Sequence, residues 1–95
     1  MITRLILSEV ITYDYDTDTE ERSPIVLGIA NGKSALPQLI KGFEASPYQQ
    51  VRIDREHQSA HDLRTTISQV LKEMPEVKVY VRMKFGKVFL MKYGR

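Results

Sequence analysis

The chain has 95 residues, 42% hydrophobic and 27% charged, and contains no cysteine. A length near that of a typical domain of about 100 residues fits one domain with one modest core. The missing cysteines exclude a disulfide framework, a thiolate zinc site and a cysteine nucleophile.

No apolar run approaches the roughly 20 residues a membrane-spanning helix needs, so no membrane partner is expected. The apolar stretch in residues 1–8 is too short for a signal peptide, and secreted domains of this size usually carry disulfides, so the expected compartment is the cytoplasm. The formal net charge is only +2, but residues 1–47 hold four Lys or Arg against seven Asp or Glu, and residues 48–95 hold ten against five. From residue 77 onward there are six bases and no acid. Such asymmetry predicts a surface with two electrostatic ends, which bears on partners rather than on fold.

Residues 2–13 read as a first strand, with Leu5, Leu7, Ile11 and Tyr13 on one parity and Ile2, Ile6 and Val10 on the other. Both faces are apolar, so cover on both sides is expected. Residues 14–23 are acidic and polar and end at Pro24, the composition of a connecting loop. Residues 25–30 form a continuous apolar run, the pattern of a central, fully buried strand. The two strands are expected to pair as an antiparallel hairpin around a long acidic loop.

Asn31 and Gly32 break the second strand, and Ser34 is suited to capping a short helix. In that helix Leu36, Leu39, Ile40 and Phe43 share one side, Pro37 falls in the first turn, and Gly42 stands near the end, as a C-cap glycine often does. Residues 48–54 form a short strand through Val51 and Ile53, with Gln50, Arg52 and Asp54 on a wet face. Ser59 and Asp62 resemble a capping box, and Ala60, Leu63, Ile67, Val70, Leu71 and Met74 make one helical stripe. Pro75 disfavours helix at Met74 and ends the element.

Residues 77–85 alternate Val77, Val79, Val81, Met83 and Phe85 with Lys78, Tyr80, Arg82 and Lys84, the period of a half-buried strand. Gly86-Lys87 fits a two-residue hairpin loop opening with glycine, followed by a last strand from Val88. The order is therefore ββαβαββ: an α+β domain with a mixed or antiparallel sheet of four to five strands and two helices on one face.

Three motifs invite chemistry and each lacks a required part. The segment from Gly28 through Gly32, Lys33 and Ser34 follows an apolar strand and opens a helix, but a P-loop needs four residues between its glycines and this one has three. Asp14, Asp16 and Asp18 alternate as in a calcium loop, but Thr19 replaces the glycine of the sharp turn and Ile25 the bidentate glutamate. His57 and His61 have the spacing of a zinc pair, but Gln58 stands where a zinc protease needs glutamate, and a cap at Ser59 leaves His57 outside the helix. No metal, no cofactor and no catalytic set is expected, so the chain reads as a non-enzymatic module.

The C-terminal hairpin is the remaining candidate. One face carries Val79, Val81, Met83, Val88 and Leu90, suited to meeting the helices. The other carries Lys78, Tyr80, Arg82, Lys84, Lys87, Phe89, Met91 and Tyr93. Basic side chains interleaved with rings are what a single-stranded nucleic acid needs, the charges for phosphates and the rings for bases. The same pattern also suits a solvated sheet face with charged edges, or an amphiphilic patch buried between proteins. The expected function is a small cytoplasmic binding or regulatory module taking nucleic acid on the outer face of this hairpin. The alternative is a protein-interaction module or homodimer using that face or the acidic residues 14–21.

Overall fold

The computed structural model describes residues 1–93, with side chains except at residues 8–12, 22 and 23. Its elements are β1 (Ile2–Asp14), β2 (Thr19–Asn31), α1 (Ala35–Ala45), β3 (Gln50–Arg55), α2 (Ala60–Lys72), β4 (Val79–Lys84) and β5 (Lys87–Lys92). The strands form one five-stranded sheet in the order β2-β1-β3-β5-β4, with every neighbouring pair antiparallel. The expected α+β fold and element order are present, and the sheet is antiparallel throughout.

The core forms where the helical stripes meet one face of the sheet. Ala35, Leu36, Leu39, Ile40 and Phe43 of α1 and Leu63 and Ile67 of α2 are buried. They join Leu5, Val51, Ile53, Val79, Val88 and Leu90 in a single cluster. Burying each large aliphatic side chain contributes about 1.5–3 kcal/mol, so this face supplies most of the driving force for folding. Gly28 of β2 permits the close approach of α1, since a Cβ there would stand 3.2 Å from Cδ2 of Leu39.

The helix ends follow local chemistry. Ser59 Oγ accepts the Asp62 backbone N–H at 3.2 Å, which satisfies one of the orphan donors of the first turn of α2. Ser34 precedes α1 but makes no capping hydrogen bond through its side chain. Gly42 lies inside α1 rather than at its cap, and Ser46 ends the helix with its Oγ donating to the Phe43 carbonyl at 2.6 Å.

The N-terminal half departs from the sequence reading in three ways. The acidic stretch is mostly strand, because β2 starts at Thr19 and only residues 15–18 turn. Asp14 Oδ1 accepts from the Asp16 N–H, and Asp18 takes a positive φ of 53°, so side chain and backbone together tighten the reversal. The apolar run of β2 is an edge strand rather than a central one: Ile25, Val26, Leu27 and Ile29 are all exposed. The cause is topological, since β1 takes β2 on one side and β3 on the other, leaving β2 a single neighbour. Finally, the helices cover β1 on one face only, and Val10 and Ile11 lie outside the described side chains. Beyond Ile6, β1 pairs with β2 alone, so the hairpin extends as a two-stranded arm and lengthens the molecule to 51 Å.

The C-terminal hairpin is shifted from the expected turn by one residue. Lys84 pairs with Lys87, and the two loop residues are Phe85 and Gly86, with φ of 54° and 70°. Two positive φ values define a type I′ turn, whose twist matches that of the flanking strands. The division of faces is unchanged by the shift, because parity within each strand is fixed. Met83, expected on the core face, is 41% exposed, since the hairpin end runs past the cover of the helices.

Candidate nucleic-acid interface

Both helices contribute to the cluster on one side of the sheet, so neither helix covers the opposite face, where Ile6 on the interior strand β1 is buried and Arg82 at the edge is exposed. Strand register places the side chains on this outer face in rows. One row crosses all five strands as Val26, Ile6, Arg52, Phe89 and Arg82. Neighbouring strands lie about 4.8 Å apart, so Arg52 and Arg82 flank Phe89 with their Cα atoms about 10 Å from each other. A second row holds Gln50, Met91 and Tyr80, and a third holds Ile29, Arg4 and Asp54.

The cations of the C-terminal part of this face are not neutralised by described carboxylates. Arg4 pairs with Glu56 at 3.4 Å, but none of Arg52, Arg82, Lys84 and Lys87 forms an ion pair with a described carboxylate. The Arg52 Nε, like that of Arg55 at the end of the same strand, is buried without a hydrogen-bond partner. A buried donor left unmatched costs about 1–3 kcal/mol.

The expected site residues fall into three pairs and one residue at the rim. Arg82 and Phe89 stand directly opposite each other, with Phe89 half-buried and Arg82 exposed. Tyr80 and Tyr93 stack obliquely, their ring centroids 5.1 Å apart and their planes at 45°. Lys84 and Lys87 face each other beside the turn, both exposed. Lys78 precedes β4 and belongs to the rim: its N–H donates to Glu44 Oε2 at 2.6 Å, and its carbonyl accepts from the Tyr93 N–H. Lys78 and Tyr93 line an open cleft with Leu71 and Lys72 of α2, at the margin of the flat face.

Two members of the surface escaped the sequence reading. The alternation places Arg52 on a wet face, but only the β3–β5 pairing brings it beside Phe89. The alternation over residues 77–85 puts Phe85 in the strand, yet it occupies the turn and is 87% exposed. Its sequence signal was the following Gly86, which fits the second loop position of a type I′ turn as well as the first of a II′ turn.

The rival motifs take ordinary structural places. Gly28 lies within β2 beneath Leu39, and Gly32 occupies the β2–α1 turn with φ 92°, so the two glycines do not form one loop. His57 sits in the β3–α2 turn with φ 59°, and His61 is exposed in the first turn of α2. Among the described residues, no three His, Cys, Asp or Glu side chains are grouped to hold a metal ion. No helix of the described residues is long and apolar enough to cross a membrane. No protein-family model, curated protein or solved structure matches the chain, so the reading of this surface rests on its own geometry.

Proposed function

We propose that the chain is a small, non-enzymatic cytoplasmic module that holds single-stranded nucleic acid on the outer face of its sheet. The observation that supports this reading is the row Arg52–Phe89–Arg82 on the outer face, with Arg82 exposed, Arg52 and Phe89 half-buried, and neither guanidinium in an ion pair with a described carboxylate. Phosphates would meet Arg52, Arg82, Lys84 and Lys87, and bases would stack on Phe89 and on the Tyr80–Tyr93 pair. Stacking contacts favour an unpaired strand, because the faces of its bases are accessible as those of a duplex are not.

The test is a titration of the protein with single- and double-stranded oligonucleotides of about 12 nucleotides, within the span such surfaces cover, at several salt concentrations. The expected result is tighter binding of the single strand, with affinity that falls as salt rises. Replacing Arg82, Lys84 and Lys87 together by alanine should reduce the salt slope by about 2, at roughly 0.7 per lost phosphate contact. An affinity equal in parent and triple variant would refute the reading.

A second reading has its own observation. Val26 and Ile29 are exposed on the β2 side of the same face, forming an apolar half beside the basic one. A protein partner, or a second copy of the chain, would bury that half. Light scattering distinguishes the cases: a concentration-dependent dimer abolished by Ile29→Lys supports this reading, and a strict monomer removes the homodimer.

A further inference from the structure

The tip of the β4–β5 hairpin is built against two local preferences. Among the described residues with side chains, Asp18, His57 and Phe85 have positive φ. Asp and His are enriched in that region, whereas a bulky ring there is an outlier. A type I′ turn favours Asn-Gly, and here Phe85 takes the first place before Gly86. The strain is not compensated by burial, because the ring is 87% exposed. Its neighbour is the Lys84 ammonium, 5.5 Å from the centroid, an exposed contact of the weak kind.

The second preference concerns charge. Lys84 and Lys87 are direct cross-strand partners, and like charges so placed repel each other. Neither meets a described carboxylate. One ligand chemistry suits both features: an anion between the ammonium groups relieves their repulsion, and a flat ring against Phe85 adds contact that offsets the strain. An unpaired nucleotide carries the two at adjacent positions. We infer that Phe85, Lys84 and Lys87 form a clamp for an unpaired nucleotide, with the base stacked on Phe85 and its phosphate held between the lysines.

This inference rests on the nucleic-acid reading above and extends it from the flat face to the tip. The tip is continuous with that face: Lys84 and Lys87 lie one row beyond Arg82 and Phe89. A strand crossing the face along β5 would therefore reach Phe85 after leaving Phe89. An anionic lipid surface shares the liking for a ring and two ammonium groups, but it would engage the protruding tip alone.

The experiment compares Phe85→Asn, Phe85→Leu and Phe85→Trp with the parent protein, reading thermal stability and affinity for a single-stranded oligonucleotide. Relief of the strain in Phe85→Asn should raise Tm by about 4–8 °C. The same substitution should weaken the oligonucleotide by about 5- to 150-fold, the range of one lost stacking contact. Phe85→Leu should bind as weakly as Phe85→Asn, since it keeps apolar bulk without a π face, and Phe85→Trp should bind at least as well as the parent. Stability and affinity moving in opposite directions is the signature. Unchanged affinity in Phe85→Asn overturns the clamp, while a loss in the Arg82, Lys84 and Lys87 triple variant would leave the flat-face reading standing. No binding by the parent removes both. Binding of the parent to vesicles of phosphatidylserine and phosphatidylcholine, lost in Phe85→Asn without any loss on oligonucleotide, overturns the clamp in favour of a lipid surface.

Discussion

The β4–β5 hairpin reverses in two residues and carries Arg82, Lys84 and Lys87 outward, whereas the β1–β2 hairpin runs thirteen residues per strand with no charge from residue 23 to 31 of its outer strand. Both place an edge strand at the limit of the sheet, and an edge offers unpaired backbone groups to any passing strand. Charge guards β4. On β2, Pro24 removes one donor, and register shifts between Leu5 and Ile6 and between Ile6 and Glu9 break the regular ladder. The guard on β4 also points cations along a surface, while the guard on β2 leaves Val26 and Ile29 bare. The contrast is one between a cationic half and an apolar half of the same face.

Energetically the two hairpins differ by how far the helices reach. Leu90 on β5 is fully buried, so Leu90→Ala should cost about 2–5 kcal/mol in urea unfolding. Ile29 on β2 is 61% exposed, and Ile29→Ala should change stability by less than about 0.5 kcal/mol. Similar costs at the two sites would break the comparison. A smaller effect than that of Leu90 is expected at Gly28, where β2 lies close under Leu39 of α1. Gly28→Val would press on Leu39 and should cost about 1–3 kcal/mol through overpacking. A neutral result there would mean that α1 moves aside without penalty.

Where the sequence pattern was regular, it carried through to the structure. The alternation in residues 77–85 marked both faces of β4, because a period of two survives any shift of the turn. The helical stripes of α1 and α2 named the buried residues because each helix has one sheet face to meet. Residues 25–30 misled for a physical reason. A continuous apolar run signals burial on both faces, but it says nothing of how many neighbours a strand has. Residues 14–23 misled in the opposite sense: polar side chains on both faces are what an arm outside the body can carry, and composition alone reads them as loop. The site residues of the hairpin were visible in the alternation. Arg52 was not, since its place beside Phe89 depends on the β3–β5 pairing, and Phe85 was hidden by a one-residue ambiguity in the turn.

Nucleic acid is proposed to lie on the outer face of β3, β5 and β4. Amide chemical shifts followed during addition of a single-stranded oligonucleotide test it residue by residue. Perturbations are expected at Arg52, Tyr80, Arg82, Lys84, Phe85, Lys87 and Phe89, with α1, α2 and the exposed run of β2 unchanged. Perturbations concentrated on the helices or on the β1–β2 arm, or none at a saturating ratio, would contradict it.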